Sequence, residues 1–209
     1  MKLAFLDTPI ITIDGPSSSG KGTISKLLAE KLGWHFLDSG AVYRALALIT
    51  INNKISLSNI PALINVINLI NSLDAPAIRS EECGITASKI AVIPEVRAAL
   101  IPFLRGFSRP PGLVADGRDM GTVVFPNAKL KIFLTASVEE RAKRRLLQLQ
   151  GSGINANLDA ILQGLIERDN RDESRDAAPS KPDSAAIIID TTDLSVDEVL
   201  HNINLNFTV

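Results

Sequence analysis

The sequence has few of the residues that form disulfides, stack on bases or carry an excess of charge. Its single cysteine, Cys83, cannot form an intramolecular disulfide, and no CxxC or Cys/His cluster indicates a structural zinc site. Aromatic residues make up only 4% of the chain, which leaves few rings on which single-stranded nucleic acid stacks. The 22 Lys and Arg balance 23 Asp and Glu, so no overall charge attracts nucleic acid or an anionic membrane. Any anion site must be local.

Long apolar runs are also missing. No stretch reaches the roughly 18 apolar residues of a membrane span, and Asp7 and Pro9 interrupt the N-terminal apolar stretch before it resembles a signal peptide. The 209 residues are 45% hydrophobic and 22% charged, as in one globular domain. We therefore expect a cytoplasmic protein with no nucleic-acid or membrane partner. We also expect a monomer.

Short β-branched segments alternate with segments of helical periodicity. Parallel neighbouring strands need crossover helices of this length, so the order predicts an α/β domain with a mostly parallel sheet. Asp38 or Ser39 can cap one predicted helix, Gly33 is placed to end another, and Ser195 with Glu198 forms a capping box for the last. The predicted strands are 10–13, 35–37, 112–115, 130–134 and 185–189. The predicted helices are 24–32, a helix from about 39, 61–72, 80–104 with a break at Pro94, 137–150, a helix to about 175 and a helix from 195.

Residues 15–23 have the spacing of a phosphate-binding loop: glycine, four residues, glycine, lysine. The loop lies between a predicted strand and helix, where backbone N–H groups and the helix N-terminus surround an anion. Lys21 is placed to neutralise the outer phosphates. Gly22 stands where Ser or Thr usually follows the lysine, so Thr23 becomes the candidate Mg²⁺ ligand, directly or through water. The loop consists of Gly15, Pro16, Ser17, Ser18, Ser19, Gly20, Lys21, Gly22 and Thr23.

Arginines at helical spacing form a second candidate feature. Arg168, Arg171 and Arg175 follow one another at intervals of three and four residues, which predicts one helix face. Acidic residues lie between them, so a salt-bridged, solvated helix is the alternative interpretation. The preceding predicted helix carries further arginines, including Arg144, and a glycine-containing link joins the two. We interpret this hairpin as a lid that closes over a polyphosphate.

The segment 116–119 follows a predicted strand, where ligand sites of parallel sheets lie. Asp116 is a candidate ligand for Mg²⁺ or its waters. Arg118 suits an acceptor phosphate, and Asp119 suits a neutral donor group on the acceptor. The alternative is a polar turn with an internal ion pair.

Together these segments resemble the bacterial cytidylate kinase family, over the chain from about residue 10 to the last helix. The resemblance implies transfer of the ATP γ-phosphoryl group to CMP or dCMP. It also implies a P-loop kinase fold with a parallel five-stranded sheet, a helical lid and a nucleotide-binding arm. The motifs that carry it are Ile11-Thr-Ile-Asp-Gly-Pro16, Gly20-Lys-Gly-Thr23, Leu37-Asp-Ser-Gly40, Val114-Ala-Asp-Gly-Arg-Asp-Met-Gly-Thr-Val-Val-Phe-Pro126 and Glu167-Arg-Asp-Asn-Arg-Asp172.

The resemblance divides a single domain of 1–209 into functional parts. The core is expected at 9–50, 110–136 and 184–209, the arm at about 51–109 and the lid at about 137–176. The segment 74–78 is too short for the β-rich insertion usual in the family, so the arm is expected to be abridged.

The resemblance also assigns residues to roles. The residues assigned to catalysis are Lys21, Arg118, Arg168 and Arg171. Residues 15–23 and Arg144 are assigned to ATP binding. Mg²⁺ falls to Thr23 and Asp116. The CMP phosphate is expected to bind Arg44, Arg118 and Arg175, with Ser39 beside them. The cytosine is expected to bind Ser88, Arg97 and Asp119. The ribose is expected to bind Asp172.

Two alternatives to a CMP kinase remain at this stage. One is a P-loop kinase for UMP or another small acceptor, since the phosphate-binding loop does not select the acceptor. The other is a nucleotide-binding protein that has lost catalysis together with its arm. Turnover on a panel of acceptors distinguishes the three.

Overall fold

The computed structural model describes residues 8–70, 76–151, 153–175 and 178–206. The strands are β1 (Ile10–Asp14), β2 (His35–Asp38), β3 (Leu113–Gly117), β4 (Leu130–Thr135) and β5 (Ile187–Asp190). The α-helices are α1 (Lys21–Leu32), α2 (Ser39–Asn52), α3 (Ile60–Asn65), α4 (Glu81–Ile90), α5 (Pro94–Arg105), α6 (Val138–Gly151), α7 (Leu158–Glu173) and α8 (Val196–Leu205). The strands form one parallel sheet in the order β2-β3-β1-β4-β5, which confirms the predicted α/β class.

The centre of the sheet is apolar because β1 is buried on both faces. Ile11 and Ile13 are fully buried, as the run of β-branched residues predicts. The register places Asp14 beside Gly117 of β3 and Phe133 of β4, so three neighbouring strands end at one edge. The rest of this core comes from β3, β4, β5, α1 and α8, mainly Ile24, Leu28, Val114, Leu130, Ile132, Leu134, Ile189, Val199 and Ile203.

Capping residues begin and end the helices where the sequence predicts. Asp38 accepts a hydrogen bond from the Ala41 amide at the start of α2, and Ser195 and Glu198 make both bonds of a capping box at α8. Gly33 ends α1 in the left-handed conformation. Within the described ranges, no helix is long and apolar enough to cross a membrane.

The chain divides into two compact units. The first consists of the described residues up to Phe36 and from Ser108 onward. The second, Leu37–Phe107, is helical: α2 packs against α4, and α3 against α5. Val42 and Leu100 are among its fully buried residues.

The helix predicted at 61–72 is shorter in the structure. It forms α3 and then a 3₁₀ turn at Ile67–Leu69. Asn65 and Val66, at the junction, are weak helix formers, which favours the break. Residues 71–75 lie outside the described residues, and with them part of the segment assigned to the abridged arm; Pro76–Arg79 forms a further 3₁₀ turn.

The helix that carries the predicted lid arginines ends earlier than expected. α7 stops at Glu173, so Arg175 lies beyond the helix and does not share its face with Arg168 and Arg171. The backbone amide of Ser174 still donates to Asn170, and the chain leaves the helix there. The predicted single-face row is therefore wrong for Arg175.

The last strand begins two residues later than predicted. Asp183 closes a turn in which its side chain accepts a bond from the Ala185 amide and its carbonyl accepts one from Ala186. Because both amides are used in the turn, strand pairing starts at Ile187.

Candidate active site

Residues 15–23 form a tight loop between β1 and α1. Gly15 and Gly20 have positive φ angles of 145° and 90°, and Ser18 adopts a φ of 61°. A Cβ atom at Gly15 would lie 2.0 Å from the carbonyl oxygen of Leu134, so only glycine fits at this position. The predicted strand, loop and helix are confirmed.

The start of α1 suits an anion. Gly20 supplies no side-chain cap, and the first turn of α1 contains no acidic residue of its own. Lys21 is buried, and its Nζ donates to the Pro16 carbonyl at 3.0 Å, which folds the ammonium group back over the loop. The Ser19 hydroxyl is buried and has no hydrogen-bond partner among the described residues. These features fit a phosphate chain.

Asp116 lies against the first turn of α1. The carboxylate is buried, and a Cβ atom at Gly22 would lie 3.2 Å from its Oδ2, so glycine keeps space beside it. Thr23 is exposed on the same turn. The described residues contain no group of three or more His, Cys, Asp and Glu that could hold a metal alone. One carboxylate and one hydroxyl fit Mg²⁺, which keeps several waters and binds substrate phosphates.

Arg118 connects the phosphate-binding loop with α7. Its Nη2 donates to the Ser17 hydroxyl at 2.7 Å, and its Nε donates to Asp172 Oδ2 at 2.9 Å. Asp172 also accepts a hydrogen bond from the Arg175 guanidinium. The structure thus brings together two predicted phosphate ligands and the predicted ribose ligand, next to the loop.

The Asp172 carboxylate is held in its ionised form. Burial raises its pKa, but the positive charges of Arg118, Arg175 and Arg168 outweigh burial and hold the pKa below its ordinary value of 3.8. Arg168 is half-buried, whereas Arg171 is exposed in the last turn of α7. The arginine–carboxylate pairing agrees with the salt-bridged interpretation, and the contact of Arg118 with the loop agrees with a site for phosphates.

Arg141 anchors α6 to the same loop. It is buried, its Nη1 donates to the Ser17 carbonyl at 3.3 Å, and its Nη2 pairs with Asp169 of α7 at 2.7 Å. The sequence indicates an arginine-rich helix here but does not distinguish Arg141 from its neighbours. In the structure, Arg141 differs from its neighbours because it is buried among carbonyl and carboxylate oxygens.

Arg144, predicted to bind the nucleotide, lies near the loop as well. Its Nη1 donates to the Thr191 hydroxyl at 2.9 Å, and that hydroxyl donates to the Ser19 carbonyl at 3.0 Å. Its Nε pairs with Glu140 one turn earlier. Sequence analysis missed Thr191, because this contact joins residues 172 positions apart and no motif marks it.

Two predicted phosphate-side residues of the acceptor site lie in the second unit. Ser39 is buried at the start of α2. The Arg44 Nη1 atom lies 3.3 Å from the Ile78 carbonyl oxygen and 3.4 Å from that of Ser80, as a donor to both. A Cβ atom at Gly84 would lie 3.1 Å from the same Nη1, so glycine in α4 leaves room for the guanidinium.

The two predicted base ligands of this unit are also buried. Ser88 lies on α4, one turn after Gly84, and Arg97 lies on α5. The Arg97 Nη1 donates to the Ala91 carbonyl at 3.0 Å. Their assignment to cytosine stays a prediction.

Sequence analysis missed Asp14, the last residue of β1. Its two carboxylate oxygens accept hydrogen bonds from the backbone amides of Met120 and Gly121, each at 2.8 Å. Burial raises the pKa of Asp14 to about 7, opposed by the two backbone bonds and assisted by the charges of Asp119 and Asp116. The only signal in the sequence is a carboxylate that ends a strand with no other charged residue, where a buried charge needs partners.

This pKa predicts that Asp14 makes the folded protein less stable as the pH rises. Between the ordinary value of 3.8 and about 7, the folded state holds a proton that the unfolded chain has released. The stabilisation by Asp14 is complete below pH 3.8 and is lost as the pH rises through about 7. Between these values, the free energy of unfolding falls by about 1.4 kcal/mol per pH unit. We expect the free energy of unfolding in urea, wild type minus Asp14→Asn, to fall from pH 5 to pH 7. Parallel pH profiles of the two proteins would contradict this assignment.

Known proteins that are similar to this chain share one description. The family model described as cytidylate kinase matches residues 11–208. The chain is 49% identical to a cytidylate kinase of Shewanella denitrificans over 214 residues, which covers 94% of both chains. It is 49% identical to that of Photobacterium profundum over 91% of both chains, and 50% identical to that of Aeromonas hydrophila over 92% of this chain and 90% of the relative.

The first alignment contains gaps in this chain. It spans 214 positions but takes in only 94% of the 209 residues, so the relative has residues at positions where this chain has none. The family match extends over nearly the whole sequence, including the loop, Asp116, Arg118, Asp172 and the helices α6 and α7. The chain therefore belongs to the cytidylate kinase family.

Proposed function

We propose that this protein transfers the γ-phosphoryl group of ATP to CMP and dCMP, giving ADP and the nucleoside diphosphate. The observation that carries the proposal is the position of Arg118, whose guanidinium contacts Ser17 of the phosphate-binding loop and Asp172 of α7 at once. A donor phosphate on the loop and an acceptor phosphate on Arg118 would then lie next to each other. Membership of the cytidylate kinase family supports the choice of acceptor.

The reaction needs alignment and charge neutralisation more than proton transfer. An acceptor phosphate oxygen is already an anionic nucleophile at neutral pH, so no general base is required. The loop amides and Lys21 hold the donor phosphates, and Arg118 and Arg175 orient the acceptor phosphate. Arg144, Arg168 and Arg171 neutralise charge as the phosphoryl group moves.

Mg²⁺ would lie beside Asp116 and Thr23, where Gly22 leaves space next to a buried carboxylate. When bound, the ion neutralises charge on the donor phosphates and helps to orient them. Asp116 holds the ion or its waters, and Thr23 contributes a hydroxyl directly or through water.

The remaining acceptor contacts follow the family pattern. Ser39 and Arg44 bind the acceptor phosphate, Ser88, Arg97 and Asp119 bind the cytosine, and Asp172 binds the ribose. Ser39, Ser88, Arg97, Asp119 and Asp172 are buried, whereas Arg44 is partly exposed.

The test is ADP release with Mg²⁺ and ATP, using CMP, dCMP, UMP, AMP, GMP and shikimate as separate acceptors. We expect rapid turnover on CMP and dCMP and slower turnover on the others. A faster reaction with UMP, AMP, GMP or shikimate would replace the acceptor assignment. ATP binding without turnover on any acceptor would indicate a nucleotide-binding protein without this activity.

A further inference from the structure

The segment that carries Arg118 and Asp119 runs directly into an unusual turn. Residues Met120–Val124 form a π-helix, closed by a hydrogen bond from the Phe125 amide to the Met120 carbonyl at 2.7 Å. Such turns are rare and less favourable than α-helix, and they occur mostly as single turns at functional sites. A turn of this kind needs contacts from elsewhere in the fold to keep its conformation.

Asp14 supplies these contacts from a different element. The first amides of any helical turn lack partners within the turn, and Asp14 accepts bonds from two of them, Met120 and Gly121, at 2.8 Å. Asp119 occupies the capping position of the turn, yet its own side chain makes no capping hydrogen bond. The Asp14 carboxylate therefore caps the turn, whereas the Asp119 carboxylate does not.

Strand β1 also packs closely against the turn. A Cβ atom at Gly121 would lie 2.8 Å from the Thr12 hydroxyl oxygen and 3.4 Å from Asp14 Oδ2. Thr12 and Asp14 are two residues apart on β1 and so point to the same face of the sheet. Both are buried, but only Asp14 bonds to the turn, since the Thr12 hydroxyl has no partner among the described residues.

We infer that Asp14 is a positioning residue, which holds Arg118 and Asp119 in the orientation needed for the acceptor by capping the turn that follows them. The inference rests on the proposed function, in which these two residues bind the acceptor phosphate and base. Strand β3 fixes the segment on one side and the capped turn fixes it on the other. Loss of the cap releases the second side only, so the acceptor site is affected and the phosphate-binding loop keeps its own glycine-based geometry.

The test compares Asp14→Asn with Thr12→Val. Asparagine has the size of aspartate but presents one oxygen and one NH₂ group, so it can accept only one of the two amide bonds. Valine at position 12 keeps the shape of threonine and removes no hydrogen bond to the turn. We expect Asp14→Asn to raise the KM for CMP about tenfold with the KM for ATP within twofold, and Thr12→Val to leave both within twofold.

The outcomes separate this inference from the proposed function. Turnover of CMP by the wild-type protein tests the proposed function. The role of Asp14 is tested by comparing the KM for CMP and the KM for ATP of Asp14→Asn with the wild-type values. An equal rise in both KM values, or no change in the KM for CMP, would overturn the positioning role. If Asp14→Asn does not fold, hydrogen exchange in the wild type gives the answer: the Met120 and Gly121 amides should exchange as slowly as those of β1, and fast exchange at both would overturn it.

Discussion

Replacement of Lys21 by methionine should lower kcat for CMP phosphorylation about 10³-fold or more. The side chain keeps its length but loses the charge that lies over the phosphate-binding loop, where Nζ already contacts the Pro16 carbonyl. Charge stabilisation by preorganised groups supplies most of the catalysis in phosphoryl transfer, because the protein has little covalent chemistry to perform. ADP release under saturating CMP and ATP measures the effect.

Lys26→Met is the matched control. Lys26 lies on the same helix, α1, five residues further on, and is exposed. The two variants lose the same charge and gain the same side chain, so a general effect of charge on the helix would appear in both. We expect Lys26→Met to keep kcat within twofold of the wild type. Equal activity of the two variants would show that Lys21 does not act on the transferring phosphates.

Replacement of Arg118 by lysine should lower kcat/KM for CMP about 10²-fold, although the positive charge is retained. Arg118 contacts the Ser17 hydroxyl, the Asp172 carboxylate and the Gly117 carbonyl with three different nitrogens. A lysine ammonium group is a single point of contact and cannot bind a phosphate through two parallel bonds while keeping these partners. Initial rates over a range of CMP concentrations at saturating ATP measure the loss.

Arg109→Lys provides the control for the chemical change itself, because Arg109 is exposed. We expect its kcat/KM for CMP to match the wild type. The KM for ATP should change less than the KM for CMP in Arg118→Lys, since the loop keeps its backbone conformation. A larger loss with ATP than with CMP would assign Arg118 to the donor site.

Most of the fold could be predicted because its signals are local. The β-branched run of β1, the glycines around α1 and the Ser195–Glu198 capping box each act within a few residues, and each appears in the structure at the expected place. The helix at 61–72 is one exception, since apolar periodicity alone does not reveal a break between α3 and a 3₁₀ turn. The end of α7 and the start of β5 also differ from the prediction, each by about two residues.

The candidate site could be predicted only as a set of residues. The loop motif marks residues 15–23 because glycine and lysine are needed at fixed spacing. Arginines in excess of what packing requires mark the two helices that we predict to form a lid. Which arginine contacts which group was not predictable. Arg118 and Ser17 are 101 residues apart, and Arg141, which contacts the same residue, stands out from its neighbours only by its burial.

By itself, the sequence determined the α/β class, the phosphate-binding loop and the family, because all three depend on residue types at short, fixed spacing. The tertiary structure decided how these parts cooperate. Parallel pairing of β1 with β3 and β4 brings Asp14 beside the turn that follows Arg118, and α7 brings Asp172 to the same arginine. Such contacts join residues 54 to 106 positions apart, and they exist only once the register of the sheet and the packing of the helices are set.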